Sequence, residues 1–299
     1  MLDFAAVRVG FVTQLLWDRY GTFWRHLVED AGAESVVAGG DQVRGALADA
    51  RVAAVGPLAF RLAAAQAVAL AAAGVDTLVV PELNGELDGV VATPRGGGAD
   101  PWIADFPAAL RSAVAGLPPL VPVPASLGPG VERVVVTTLQ NLLHDAHAVR
   151  RIWGRRRAEA RPQRRPAARW EPAAGERTTV GLVAQPWLLT DALAARAGRQ
   201  GEHLVAQHRL EPALLRAEGA RVESGLAATD AEALGAARLF ARRGGVDTVR
   251  FLADRASGAD AWLAGRLRAA VRKPLEVRYL DDVLAGADPV DIVLVTQVD

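Results

Sequence analysis

Short apolar runs alternate with longer segments of helical spacing along the whole chain, and this alternation constrains the fold more than any other feature. The first unit runs from an apolar stretch at Val7–Val12, through a helical pattern at Leu15–Ala31, to a second apolar stretch at Ser35–Val37. Its length of about 30 residues matches the smallest strand–helix–strand unit with parallel strands. The pattern therefore predicts an α/β fold with parallel strands.

The same alternation continues through the first half of the chain and repeats in the second half. In the first half we predict further strands at Arg51–Val55, Thr77–Val80 and Leu120–Val123, and helices at Phe60–Ala73 and from Val131 to about Trp153. In the second half we predict strands at Thr179–Val183, Arg221–Glu223, Thr248–Leu252 and Leu275–Leu280, and helices at Leu188–Ala197, Asp230–Arg243 and Asp260–Val271. Such alternation places helices on both faces of parallel sheets. We therefore predict two tandem doubly wound, Rossmann-like lobes with a cleft between them.

A strongly basic segment lies between the two halves. From Arg150 to Arg169 there are nine arginines and one acidic residue, so the local charge is +8 although the whole chain has a net charge of zero. We predict an N-terminal lobe at residues 1–149, an arginine-rich linker or helix extension at 150–177, and a C-terminal lobe at 178–299. Like charges repel one another, which favours a solvated segment. The alternative is a patch that binds the phosphate of a nucleotide or coenzyme A, or an acidic partner.

The composition excludes several classes of function. Cysteine is absent, so the chain can form no disulfide, thiol nucleophile or thiolate metal site. Basic and acidic residues balance at 34 each, which gives no general attraction to nucleic acid or to a membrane surface. The longest apolar stretch, Leu62–Val75, is too short to cross a bilayer of ~30 Å. Because the first residues also lack a signal-peptide pattern, we predict a cytoplasmic protein.

Motifs of common catalytic and metal sites are missing or incomplete. The glycine run Gly96–Gly98 has neither dinucleotide-binding nor P-loop spacing, and no GxSxG nucleophile motif occurs. On a helix, His144 and His147 would share one face, but no third metal ligand is evident near them in the sequence. We therefore predict no metal site, and the motifs leave the catalytic residues unknown.

Three segments, in order along the chain, resemble those of one enzyme family. VGFVTQLLWDRYGTFWR at 9–25 resembles an opening strand followed by an aromatic-rich helix, and AQPWLLTD at 184–191 resembles a turn after the first strand of the second lobe. KP at 273–274 precedes a predicted strand that ends in LDD at 280–282. Together these segments are similar to the 2-hydroxyacyl-CoA dehydratase family, which includes benzoyl-CoA reductase subunits and activase-associated proteins of unknown function.

Members of that family hold a 4Fe–4S cluster with three cysteines, and the cluster relays an electron from an ATP-driven activator to a CoA thioester. The resemblance places the three cysteine positions at Val55 in VGP, Asp100 in DPW and Ser257 in SGAD. A valine, one carboxylate and one hydroxyl cannot replace three thiolates. We therefore predict that the iron–sulfur cluster is absent, that the chain holds no cofactor, and that the family's electron transfer is lost.

In this family the acyl-CoA and the cluster lie between the lobes, so the resemblance also implies which side chains line the cleft. Besides Asp100 and Ser257, these are Asp18, Arg19, Pro57, Trp102, Gln185, Trp187 and Asp260. The ordinary alternatives are that Asp100 caps a helix before Pro101 and that Ser257 is a turn residue before Gly258. Gln185 stands where the family has a histidine, which removes a group that could transfer protons.

The leading hypothesis is a cluster-less relative of the dehydratase family that acts as a non-redox binding or partner subunit, not as an enzyme. Its ligand would be an acyl-CoA or another small molecule. Because family enzymes work as two-subunit dimers, its partner would be a second copy of the chain or a homologous cysteine-bearing subunit. The alternative is an enzyme that re-uses the interlobe cleft for non-redox chemistry on an acyl-CoA or another phosphorylated small molecule. Its candidate residues are Asp100, Asp260 and the nearby histidines, and the sequence assigns no acid–base pair among them.

Overall fold

Two four-stranded parallel sheets, each flanked by helices, form the centre of the fold. The computed structural model describes residues 7–83, 100–128, 130–143, 145–161 and 178–294. The first sheet consists of β1 (Arg8–Phe11), β2 (Glu34–Val37), β3 (Thr77–Glu82) and β4 (Leu120–Pro124), in the order β2-β1-β3-β4. The second consists of β5 (Thr178–Val183), β6 (Glu202–Ala206), β7 (Thr248–Ala253) and β8 (Leu275–Tyr279), in the order β6-β5-β7-β8. This repeated order confirms two Rossmann-like lobes.

Fourteen helices are present in the described residues. In the first lobe they are α1 (Trp17–Asp30), α2 (Gly40–Leu47), α3 (Ala50–Ala53), α4 (Leu58–Ala72), α5 (Pro101–Ala104), α6 (Phe106–Ala113), α7 (Val131–Leu143) and α8 (Ala146–Arg156). In the chain from β5 onward they are α9 (Asp191–Ala197), α10 (Pro212–Ala220), α11 (Ala228–Arg242), α12 (Gly258–Ala270), α13 (Leu280–Leu284) and α14 (Pro289–Val293). A short 3-10 helix at Gln207–Arg209 follows β6. None of them has the length and the apolar composition needed to span a membrane.

Helix α4 shows how the sequence directs the packing. Its alanines and leucines have high helix propensity, and they surround the helix instead of forming one apolar stripe. Twelve of its fifteen residues are accordingly buried. Helix α4 therefore lies inside the fold, and the loops after neighbouring strands pack against it.

Two predicted strands are wrong. Residues Arg51–Val55 do not form a strand, because the Asp49 side chain accepts a hydrogen bond from the Arg51 N–H (2.9 Å) and starts the short helix α3. Residues Arg221–Glu223 form a turn after α10, and the second strand of that lobe is β6. Strand β6 lies at the sheet edge and is only partly buried, so its sequence EHLVA lacks the apolar run of a central strand.

The helix predicted from Val131 to about Trp153 is two helices, α7 and α8. The Asp145 side chain accepts hydrogen bonds from the N–H groups of His147 (2.8 Å) and Ala148 (3.2 Å). An aspartate in this position caps the start of a new helix. The first seven residues of the basic segment, Arg150–Arg156, therefore belong to α8, and residues 162–177 lie outside the described part of the chain.

The two lobes share one continuous core of buried apolar side chains. This core includes Phe11 and Trp102 from the first lobe, and Trp187 and Leu252 from the second. Helix α14 follows the second sheet in the chain but packs against α2, and its residue Val293 is fully buried in the same core. Loops that follow β1, β5 and β7 at their carboxyl ends meet where the lobes join.

Candidate functional site

Asp100 and Ser257, two of the three positions that the resemblance assigns to cluster ligands, are hydrogen-bonded to each other between the lobes. The Ser257 hydroxyl donates to Asp100 Oδ2 (2.7 Å), and the Ala259 N–H donates to Asp100 Oδ1 (3.1 Å). Ser257 is also the N-cap of α12 and accepts from the Asp260 N–H (3.1 Å). Asp100 of the first lobe therefore satisfies free N–H groups at the start of a helix in the second lobe.

The third position, Val55, is buried in a segment that contacts the same part of the second lobe. The Leu58 N–H at the start of α4 donates to Asp254 Oδ2 (2.6 Å), in the loop after β7. A Cβ placed on Gly56 would lie 3.8 Å from the Ala256 carbonyl oxygen, in ordinary van der Waals contact, so the two loops lie side by side. Each lobe thus supplies a carboxylate that accepts a hydrogen bond at the start of a helix in the other lobe. Asp100 accepts at the start of α12, and Asp254 accepts at the start of α4. We call these two contacts the reciprocal caps.

An acid–amide cluster, formed by Gln185, Asp230 and Asp260, lies beneath the reciprocal caps. Gln185 Nε2 donates to Asp230 Oδ1 (2.8 Å), and Asp260 Oδ2 accepts from the Asp254 N–H (2.8 Å). The two carboxyl residues are only 2% and 1% exposed. Burial raises the pKa of Asp230 to about 6 and that of Asp260 to about 7, because a buried carboxylate loses its hydration.

Carboxyl groups that titrate near neutrality can transfer protons, and they are common in active sites. In this arrangement, however, a ligand cannot reach Asp230 or Asp260, because the side chains around them leave almost no exposed surface. No group of three or more histidine, aspartate or glutamate side chains within the described ranges is placed to hold a metal ion. The acid–amide cluster is a buried contact between the loop after β5 and the helices α11 and α12.

A pocket of about 210 Å³ lies between the lobes, beside the carboxyl ends of β1, β5 and β6. Its wall includes Trp17, Asp18, Arg19, Trp187, His208 and Glu232. Three residues that the sequence predicts to line the cleft, Asp18, Arg19 and Trp187, are therefore found together here. We call this space the interlobe pocket.

The other predicted cleft residues lie in the packed contact between the lobes. The Trp102 ring is buried, stacked on Phe60 (5.4 Å between centroids) and edge-on to Trp187 (5.3 Å). Pro57 immediately precedes α4, and Gln185 and Asp260 belong to the acid–amide cluster. The residues that the sequence predicts to line the cleft thus fall into two groups. Some line the interlobe pocket, and the others are packed where the lobes join.

An ion pair that the sequence did not reveal joins the lobes at the interlobe pocket. Both terminal nitrogens of Arg19 donate to the Glu232 carboxylate, each at 2.8 Å, and Arg216 donates to the same group at 2.9 Å. Glu232 is 1% exposed, so the two arginines provide the hydrogen bonds that a buried carboxylate needs. In the sequence Glu232 belongs to a polar helix start, and nothing there indicates a partner 213 positions away.

Two further features of the pocket wall also went unrecognised in the sequence. His208 Nε2 lies 2.8 Å from Asp191 Oδ1, and Arg209 donates to the same oxygen (2.9 Å). Hydrogen bonds from Arg209 and then His208 lower the pKa of Asp191. Leu16 has φ +60°, and it is the one non-glycine residue with positive φ in the described ranges. Such strain is costly for a leucine and is typical of functional sites.

The basic segment is partly neutralised where the structure describes it. Arg156 is paired with Asp30 (2.8 Å) and Glu159 (2.8 Å), which fixes α8 against α1. Its other described arginines are mostly exposed, including Arg150 and Arg161. The predicted phosphate patch therefore stays a prediction, as do the interpretations of Gly96–Gly98 and His144, which lie outside the described residues.

Comparison with protein-family models, with curated proteins and with solved structures finds no match in any of the three.

Proposed function

We propose that the chain is a cluster-less relative of the 2-hydroxyacyl-CoA dehydratase family that works in the cytoplasm as a non-redox binding protein or partner subunit. One observation carries this proposal. The segments at 55–57, 100–102 and 257–260, which the resemblance assigns to the three cluster ligands, are distant in sequence but meet between the lobes.

The chemistry at this meeting point favours a non-redox role. Asp100 and Ser257 are bonded to each other and to the start of α12, so their oxygens are used in joining the lobes. Val55 offers no ligand atom. The reciprocal caps thus hold closed the region in which the family places its cluster.

The interlobe pocket supports a binding role and limits the size of the ligand. Its volume of about 210 Å³ is below the ~300–1,000 Å³ that is usual for sites of drug-sized ligands. A whole coenzyme A does not fit inside such a space. The bound molecule is therefore small, or only its acyl end enters.

Native mass spectrometry of protein purified without oxygen from its own host tests the proposal directly. We expect a mass without iron or sulfide, with either a bound small molecule or a second chain. An adduct that contains iron and sulfide would contradict the proposal. Co-expression with a cysteine-bearing homologue tests the partner role, and elution of the two proteins as separate species at micromolar concentration would exclude it.

Thermal unfolding tests the binding role on a panel of acyl-CoA thioesters and small acids. A ligand at a hundredfold excess over its Kd stabilises the native state by about 2.7 kcal/mol. For a chain of this size, that raises Tm by about 4 °C. No shift with any ligand, together with no partner, would contradict a binding or partner role.

A second candidate function is a non-redox enzyme, and the acid–amide cluster is the observation that favours it. Buried carboxyl groups with raised pKa values are common in acid–base sites. If the lobes open during turnover, Asp260→Asn abolishes conversion of an acyl-CoA substrate while the variant remains folded. Conversion at an unchanged rate by this variant would exclude a catalytic role for Asp260.

A further inference from the structure

We infer that the interlobe pocket binds a small zwitterion with an apolar side chain, such as an aliphatic or aromatic amino acid. This inference rests on the proposed binding role and gives the ligand of that role a chemical class. It is carried by the size of the pocket, by the charges on its wall and by its apolar surface.

The size of the pocket selects molecules of about the size of an amino acid. A volume of about 210 Å³ is many times the ~10–15 Å³ that one water molecule needs, and it is below the ~300–1,000 Å³ of sites for drug-sized ligands. Coenzyme A is far larger than this space. A pocket of this size between two lobes can hold a single small molecule.

The wall presents charges of both signs to such a molecule. Arg19 uses one N–H of each terminal nitrogen on Glu232, so each of these nitrogens retains a second N–H that can donate to a carboxylate. Asp18, the next residue in the wall, is exposed at the first turn of α1. The carboxylates of Asp18 and Glu211 are both close enough to interact electrostatically with the Arg19 guanidinium.

This balance of charges favours a zwitterion over an ion with a net charge. Glu232 is already neutralised by two arginines, and His208 is hydrogen-bonded to Asp191. A lone carboxylate or ammonium would lose its hydration and gain only half of the available partners. A molecule with both groups pairs its carboxylate with Arg19 and its ammonium with Asp18 in the same wall.

The rest of the wall accepts an apolar side chain. Leu16, Trp17, Trp187, Leu189, Leu210 and Leu215 supply most of this surface. Burial of an aliphatic or aromatic group against them is favourable because it removes apolar area from water. Leu16 is also the strained residue, and backbone strain of this kind is frequent at ligand clamps.

The test is isothermal titration of the full chain with L-leucine and with two analogues that each lack one charge. Leucinamide lacks the carboxylate, and 4-methylpentanoate lacks the ammonium group. We expect L-leucine to bind and each analogue to bind at least about tenfold more weakly, since each loses a charged hydrogen bond. An analogue that binds as tightly as L-leucine would overturn the inference, as would no binding of L-leucine or L-phenylalanine at millimolar concentration.

A pair of tryptophan variants locates the binding. Leu210→Trp fills the pocket, whereas Leu214→Trp places the same side chain on α10 at a position that is 49% exposed and outside the wall. We expect the first change to weaken leucine binding at least tenfold and the second to leave it unchanged. Equal binding by both folded variants would overturn the location. If Leu210→Trp does not fold, leucine-dependent shifts of the Trp17 and Trp187 indole NMR signals decide the location in the wild-type chain.

The outcomes separate this inference from the proposed function. Stabilisation by an acyl-CoA without any leucine binding overturns the zwitterion and leaves the binding role in place. Leucine binding by a protein that carries iron and sulfide would overturn the non-redox proposal and leave the ligand class standing.

Discussion

The two lobes have the same strand order, but the helix that holds the loop after the first strand uses an amide side chain in one lobe and a carboxyl side chain in the other. In the first lobe, Gln66 on α4 accepts from the N–H groups of Thr13 (3.0 Å) and Gln14 (2.9 Å) and donates to the Thr13 hydroxyl (2.7 Å). In the second lobe, the amide lies on the loop, as Gln185, and the helix contributes the carboxyl of Asp230. Helices α4 and α11 occupy equivalent places, between the second and third strands of their lobes.

This difference shows that the polar groups of a buried loop can be satisfied in two ways, and that the two ways differ in how they respond to pH. A buried loop must find partners for its polar groups, and either an amide or a carboxyl can supply them. The amide of Gln66 is neutral at every pH, whereas the carboxyls of Asp230 and Asp260 titrate near neutrality. We therefore expect the first lobe to be insensitive to pH at this position and the second lobe to respond.

The largest expected effect comes from Gln66→Met, which removes the amide from the first lobe and leaves two buried N–H groups without a partner. Each such group costs ~1–3 kcal/mol, so we expect the free energy of unfolding to fall by about 3–5 kcal/mol in urea titrations. The matched control is Gln42→Met on α2, where the amide accepts only the Gly39 N–H at the surface. Equal losses in the two variants would contradict the importance of the buried amide.

The pH dependence of stability gives the second test, and it concerns the second lobe. Its two buried carboxyls have folded pKa values of about 6 and about 7, against 3.8 for an ordinary aspartate. The folded state therefore holds these protons more tightly, and their contribution to stability is complete below pH 3.8 and is lost as the pH rises to about 7. Relative to wild type, Asp260→Asn should gain on the order of 3 kcal/mol between pH 5 and pH 8.

The control for this experiment is an aspartate with the opposite shift. Hydrogen bonds from Arg51 lower the pKa of Asp49 to about 2, so its titration lies outside the window from pH 5 to pH 8. Urea titrations of Asp49→Asn should therefore run parallel to wild type across this window. If the free energy of unfolding of Asp260→Asn falls with pH as steeply as that of wild type, the Asp260 carboxyl does not titrate near neutrality.

Breaking the reciprocal caps should have an intermediate effect. We expect Asp100→Ala and Ser257→Ala each to cost about 1–2 kcal/mol, as for other helix caps, with a coupling of about 1 kcal/mol in the double mutant. Asp105→Ala removes a cap within the first lobe, where Asp105 accepts from the Ala108 N–H (2.9 Å), and it should not couple to Ser257→Ala. Strict additivity of Asp100→Ala and Ser257→Ala would contradict the cap between the lobes.

The smallest expected effect comes from the exposed ion pairs that connect α2 with α14. Arg44 donates to Asp288 (2.6 Å) and also pairs with Asp291. Because exposed pairs are screened by solvent and salt, Arg44→Ala should lower Tm less than Asp100→Ala or Ser257→Ala. In 1 M salt the Tm of Arg44→Ala should equal that of wild type. A salt-independent loss would show that the Arg44 stem contributes through packing.

Much of the fold is predictable from the sequence because central strands and buried helices leave clear apolar patterns. Strands such as β3 and β7 and the helix α4 are identified to within a few residues. The edge strand β6 is missed because one side of it faces solvent. Arg51–Val55 is misread because a short helix and a short strand have similar apolar runs, and the cap at Asp49 decides between them.

The candidate site was predictable only where the resemblance supplied positions. It indicated Asp100, Ser257 and the residues near Arg19. It could not indicate Glu232 or His208, because their positions in the pocket depend on how α11 and the turn after β6 pack against the other lobe. Contacts between distant elements follow from tertiary packing and not from local spacing.

The reciprocal caps also have a consequence for how the protein unfolds. If either lobe unfolds, backbone N–H groups in the first turn of a helix in the other lobe lose their hydrogen-bond acceptor. Unfolding of each lobe therefore destabilises the other. Two sheets that look like separate folding units should therefore melt in a single cooperative transition, reported identically by Trp24 in one lobe and Trp262 in the other.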